Sequence, residues 1–375
     1  MDNAATMSML PKTVQEMEPF FYQAFANPSG SYSQARLAAG KINQSRKEIA
    51  EILNADENEI YFTSGGSESN NLAINGFVKA NSLKGKHLIV SSIEHPSVLK
   101  VCENLKQEGY EISYVKADKE GMISPDEVSR MIRRDTILIS VMHANNEIGT
   151  IEPVMEIGQI AEKNQIAFHS DCVQVIGHRK LDVKKWNVDM ISASAHKFRG
   201  PKGIGFLYIK KGVRIKPEIF GGEQERGLRS GTENVAGIVG MKAALVEMNH
   251  HIVESEEYIL NLQNDLVEML FKKIPNIQIN GSMEKRLPGN VHFSIPGISG
   301  EKLLMYLDMH GICASGGSAC LNPGRKPSHV LKAIGLQEDC IEGSVRFSLS
   351  DQNMWDEIKY TVSVIEENWG KCIKK

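Results

Sequence analysis

Between about residues 58 and 210 the chain alternates short apolar runs with helix-periodic stretches, and that alternation narrows the folds open to it. The apolar runs fall at 59–63, 87–91, 112–115, 137–142, 166–170, 190–194 and 205–209. Each has strand length and is rich in Ile, Val, Leu or Phe. Helix-like segments at 69–80, 97–108 and 156–163 lie between several of them. Strand–helix alternation of this kind predicts an α/β layer built on a mostly parallel sheet. Loops at the carboxyl ends of such strands carry the ligand sites. A long helix-periodic stretch, 237–272, then leads to strands at 278–280, 290–294 and 344–348, with helices near 300–310 and 351–369. That second pattern predicts a smaller α+β unit.

At 375 residues the chain is long enough for both units. Its formal net charge of -3 gives no electrostatic reason to expect nucleic acid or an anionic membrane as a partner. Met1-Asp2-Asn3-Ala4-Ala5-Thr6 lacks the basic start and apolar core of a secretory signal. No apolar run approaches the roughly 20 residues of a membrane helix, so a cytoplasmic location is expected. The six cysteines form no Cys-x-x-Cys pair and are too sparse for a disulfide scaffold. They read as separate thiols.

Four segments carry candidate chemistry. In Phe62-Thr63-Ser64-Gly65-Gly66-Ser67-Glu68 a strand turns into a helix, and free N–H groups there, with the Ser67 hydroxyl, can cradle a phosphate. The same pattern serves as an ordinary helix cap. Asp171, in Phe168-His169-Ser170-Asp171-Cys172, ends a buried strand and needs a partner, of which a pyridinium nitrogen is one. A plain structural Asp is the alternative. A metal set from His169, Asp171 and Cys172 is disfavoured, because neighbours along a strand face opposite ways. Lys197 closes the next strand, just before Gly200-Pro201, and with a depressed pKa could form a Schiff base; many such lysines only reach solvent. Cys320 sits among Ser315-Gly316-Gly317-Ser318-Ala319 and Leu321-Asn322-Pro323-Gly324, a loop composition that suits a nucleophile or carries an incidental thiol.

Together with Asn27-Pro28-Ser29, Glu94-His95-Pro96-Ser97, His143-Ala144-Asn145-Asn146-Glu147, Arg229-Ser230-Gly231-Thr232-Glu233-Asn234 and Val345-Arg346-Phe347-Ser348, these segments resemble the cysteine desulfurase family over nearly the whole chain. That family belongs to the class V aminotransferases, which are fold type I pyridoxal-phosphate enzymes. The resemblance implies conversion of L-cysteine to L-alanine, with sulfur left on Cys320 as a persulfide. It implies pyridoxal 5'-phosphate held covalently by Lys197, with His95 on the ring and Asp171 at its nitrogen. Gln174 would bond the ring oxygen, with Asn146 alongside. Gly66, Ser67, Ser194 and His196 would hold the phosphate, joined by Thr232 from a second subunit. Arg346, with Asn146, would bind the substrate carboxylate. A homodimer with shared sites follows, and so does a protein sulfur acceptor, such as an iron–sulfur scaffold or a tRNA-thiolation enzyme. No resident metal is implied, although Cys320 could hold a cluster in transit.

The expected division is 1–15 as a segment joining the small domain, 16–250 as the cofactor-binding domain and 251–375 as the small domain with the Cys320 loop. Departures from the family pattern are Gly65-Gly66-Ser67-Glu68 for Gly-Ala-Thr-Glu and Gly221-Gly222-Glu223-Gln224 for Gly-Gly-Gly-Gln. Leu321-Asn322-Pro323 follows Cys320 where small polar residues are usual, and Cys172 and Cys313 replace small residues. Selenocysteine cleavage and transamination are the alternatives within the same fold, and a cofactor-free binding scaffold is the alternative outside it.

Overall fold

The computed structural model describes residues 1–316 and 327–374. The main sheet has seven strands: β1 (Ile60–Thr63), β2 (His87–Ser91), β3 (Glu111–Val115), β4 (Thr136–Ser140), β5 (Ala167–Asp171), β6 (Met190–Ser194) and β7 (Gly205–Ile209). Their spatial order is β1-β7-β6-β5-β4-β2-β3. The block from β3 to β6 is parallel throughout. β7 runs against β6 and β1 against β7, so β1 points the same way as the parallel block. Every residue of β2, β4, β6 and β7 is buried, as helices on both faces require.

Local sequence explains how helices meet this sheet. Helix Pro96–Gln107 starts with Pro96 in its first turn, where a missing N–H costs nothing, and buries Val98, Val101, Cys102 and Leu105 along one stripe. After β1, Gly66–Asn71, the π turn Leu72–Gly76 and Phe77–Ala80 follow without a break. The stretch expected over 237–272 is broken at His251 into Val235–His250 and Ile252–Lys273. The first of these helices is buried on most sides against the large layer, while the second sends Ile259, Leu262, Leu266 and Leu270 into a different core.

That second core lies on β8 (Gln278–Ile279), β9 (Asn290–Ser294) and β10 (Ser344–Ser348), an antiparallel sheet in the order β10-β9-β8. The Phe293 and Phe347 rings stand 5.9 Å apart at its centre, within the range of favourable aromatic pairs. The two layers are laced together by the first residues of the chain. Ser348 N donates to Met1 O at 2.9 Å and Asn3 N to Ser348 O at 3.2 Å, beside β10. Farther on, Met7 N reaches His196 O at 3.0 Å and Leu10 N reaches Arg199 O at 3.3 Å, beyond β6. No helix among the described residues is long and apolar enough to cross a membrane.

Candidate active site

The carboxyl ends of β1, β2, β4, β5 and β6 converge on a cavity of about 240 Å³. Gly66, Ser67, His95, Asn146, Asp171, Gln174, Ser194, His196 and Lys197, all singled out from the sequence, line it together. β5 ends in Asp171, which is only 4% exposed. Its Oδ2 accepts from Asn70 Nδ2 at 2.7 Å and its Oδ1 from Val173 N at 3.0 Å. Both bonds fix the orientation of the carboxyl group at this wall.

β6 delivers Ser194 and then one 3₁₀ turn, Ala195–Lys197. Lys197 Nζ donates to Ala4 O at 2.6 Å and to Ala5 O at 2.9 Å, so the N-terminal segment lies against the amine. Burial, helped by the Arg346 guanidinium, pulls the Lys197 pKa down to about 8 against the pull of Asp2 and Asp171. A substantial neutral fraction near physiological pH makes this amine a competent nucleophile and base.

His95 is the N-cap of helix Pro96–Gln107. Its Nδ1 accepts from Ser97 N at 3.1 Å, which leaves Nε2 to carry the proton of the neutral ring. Burial, with Lys197 and His329 nearby, lowers its pKa, although Asp171 and Glu147 oppose the shift. The opposite end of the cavity is built to admit an anion. Gly65 has φ 147° and Gly66 opens the helix; a Cβ at Gly66 would sit 2.6 Å from Val173 Cγ2. Backbone N–H groups can therefore approach a ligand closely there, beside Ser67, Ser194 and His196. Burial and the Lys197 and Lys202 cations depress the His196 pKa to about 4.

Three predicted site residues stand apart. Arg346, on β10, lies beside the cavity and reaches it through Asn146, whose main-chain oxygen accepts from Nη1 at 2.8 Å. Thr232 is exposed and does not join the cavity of its own chain. Cys320 lies outside the described residues. His169 is spent on serines, with Nδ1 2.9 Å from Ser140 Oγ and Nε2 3.1 Å from Ser192 Oγ, and burial holds its pKa near 3. Cys172 is wholly buried, and burial pushes its thiol pKa up, away from reactivity. Sequence reasoning missed Asn70, which anchors Asp171; its one signal was a polar residue a helical turn beyond Gly66. It also missed Asp2, discussed below.

Comparison with known proteins fits this geometry. Residues 1–361 match the model of the class-V aminotransferase family. Cysteine desulfurase IscS of Methanosarcina thermophila is 50% identical over 367 residues, covering 98% of this chain and 91% of the relative. The relative of the same name from Dictyoglomus turgidum is 44% identical over 370 residues, covering 98% and 93%. Among solved structures, a NifS-like protein superposes with a TM-score of 0.93 at 35% identity, covering 99% of this chain and 98% of that one. SspA in complex with cysteine gives a TM-score of 0.84 at 35% identity, covering 94% and 99%. The chain belongs to the class-V aminotransferase family and, within it, to the cysteine desulfurases.

Proposed function

We propose that this chain removes sulfur from L-cysteine, releasing L-alanine and leaving a persulfide on Cys320. The observation that carries this reading is one cavity holding Lys197, its amine pKa lowered, between the oriented carboxyl group of Asp171 and an anion cradle at Gly66 and Ser67. Pyridoxal phosphate suits that donor set. Its phosphate would take the N–H groups at Gly66 and Ser67 with Ser194 and His196, its ring nitrogen Asp171, its ring oxygen Gln174 and its aldehyde Lys197. When bound, it supplies an electron-withdrawing ring that accommodates the electron pair left at the substrate's α carbon.

The chain's own residues supply the rest. Arg346, with Asn146, binds the substrate carboxylate, a task suited to a planar guanidinium. Lys197 Nζ takes the proton from the α carbon. The flat His95 ring, with its Nε2 proton, orients the reacting group and excludes water from one face. The Cys320 thiolate attacks the substrate sulfur, the carbon–sulfur bond breaks, and its electron pair stays with the β carbon, which is then protonated. Solved SspA holds cysteine on a related chain, which supports the substrate.

This reading carries a homodimer in which Thr232 completes the second subunit's phosphate site, and a protein sulfur acceptor in the cytoplasm. It also keeps the division at 1–15, 16–250 and 251–375. Purified protein incubated with L-cysteine should form alanine and, with a thiol reductant, sulfide in equal amounts. Lys197→Ala and Cys320→Ser should each stop both. Full turnover by Cys320→Ser would overturn the persulfide role and favour another reaction on the same cofactor.

A further inference from the structure

Arg346 is held from three sides. It is 8% exposed on β10, and its Nη1 donates to Asn146 O at 2.8 Å. Its Nη2 donates to Asp2 Oδ1 at 2.7 Å, in an ion pair whose side chains are 9% and 20% exposed. Its own main chain exchanges two hydrogen bonds with Ser315, Ser315 N to Arg346 O at 3.2 Å and Arg346 N to Ser315 O at 2.7 Å. Asp2 closes the ring, because its Oδ2 accepts from Ser315 Oγ at 2.8 Å. Asp2 is itself fixed by a backbone bridge to Ser348, two residues along β10 from the arginine. Of its three guanidinium nitrogens, Nε alone is buried without a partner among the described residues.

A buried guanidinium beside the cavity, held by a carboxylate that Ser315 shares and by a main-chain oxygen, is ordered by its own chain. Long side chains lose much rotamer freedom when they close on a ligand, and a side chain already ordered loses less. We propose that Asp2 is a positioning residue for the reaction: its carboxylate holds Arg346 in the orientation that receives the amino acid's α-carboxylate. The proposal rests on Arg346 being that grip. Asp2 acts through the arginine and through Ser315, and it sets substrate affinity rather than the rate of sulfur removal.

The loaded enzyme tests this with Asp2→Ala, Asp2→Asn, Arg346→Ala and the Asp2→Ala/Arg346→Ala pair. The readouts are KM and kcat for L-cysteine, and the dissociation constant of L-alanine from the change in cofactor absorbance. Asp2→Ala should raise KM and the alanine constant by roughly tenfold, with kcat within about threefold, because ordering a long side chain costs that much affinity. Asp2→Asn, which keeps an oxygen for Nη2 and an N–H for Ser315, should recover most of the loss. The double variant should bind no worse than Arg346→Ala alone, since contacting residues that act as a unit are not additive. If Arg346→Ala leaves both constants unchanged, the carboxylate grip is wrong, and the Asp2 proposal falls with it. If Arg346→Ala weakens binding while Asp2→Ala does not, Asp2 alone is refuted. Tighter binding in Asp2→Ala would make Asp2 a competitor of substrate, which also overturns the proposal. A fall in kcat with unchanged KM would leave Asp2 a merely structural contact.

Discussion

Glu94 stands immediately before His95 with no exposed surface. Its Oε1 accepts from Met142 N at 2.6 Å and from Ser91 Oγ, while Oε2 is buried without a partner. Burial drives its pKa up to about 8, so at neutral pH it is a carboxylic acid that adds no second negative charge beside Asp171. An unfolded Glu titrates near about 4.3. The folded chain therefore keeps a proton that the unfolded chain has released between that value and about 8. Its contribution to stability is fully present below the lower limit and falls as pH rises through the window. Glu94→Gln keeps the shape and the oxygen acceptor but has no proton to lose. In urea denaturation, the variant should gain on the wild type by on the order of 1 kcal/mol per pH unit between about pH 5 and 8. A difference that stays flat with pH would mean that Glu94 is ionised when folded.

At the scale of elements, helix Ser33–Leu53 is pinned to β1 through a buried ion pair. Arg46 Nη2 and Nη1 meet Glu225 Oε1 and Oε2 at 2.7 and 2.8 Å, and Phe62 N donates to Glu225 Oε2 at 2.8 Å. The Arg46 guanidinium also stacks 4.4 Å from the Phe62 ring centre. Removing one partner strands a buried charge, so Glu225→Ala should cost roughly 3–5 kcal/mol. Glu225→Gln paired with Arg46→Met should cost clearly less, because no charge is stranded; comparable losses in chemical denaturation would contradict the pairing argument. Contacts of this kind were not legible in the sequence, whereas the strands that flank them were. The runs at 87–91, 190–194 and 205–209 match β2, β6 and β7 because a strand buried on both faces is apolar throughout. The helix after β1 was expected from Ser69 and begins at Gly66, since glycines seldom open a helix unless a ligand or a neighbouring strand must come close. The break at His251 was missed because helix-compatible residues stand on both sides of it. Of the cavity residues, Ser67, Asp171 and Lys197 were legible as polar groups at strand ends, while His95, Asn146, Gln174, Ser194 and His196 came from the family resemblance. The Asp2–Arg346 pair was not, because its partners are 344 positions apart and nothing local marks either as paired.

The whole molecule raises the question of where one active site ends. Within the chain, the N-terminal segment and Arg346 bring the small layer up beside a cavity that the large layer lines. Thr232 breaks this pattern, being exposed and outside the cavity of its own chain. It follows a bridge between Ile219 and Arg229, next to Phe220, which is 83% exposed. If Thr232 serves the partner's phosphate site, damage to it and damage to Lys197 fall on different sites of a mixed dimer. Thr232→Asp sets a negative charge against the phosphate and should weaken pyridoxal phosphate binding by on the order of a hundredfold in the homodimer. The Lys197→Ala homodimer should capture none covalently. In a dimer with one subunit of each kind, isolated on two different tags, both defects meet in one site and the other is intact. That dimer should bind one cofactor with wild-type affinity and regain about half the wild-type activity, as reciprocal use of one surface in a two-fold dimer requires. If Thr232 instead acted within its own chain, each site of the mixed dimer would carry one defect, and neither affinity nor activity would return.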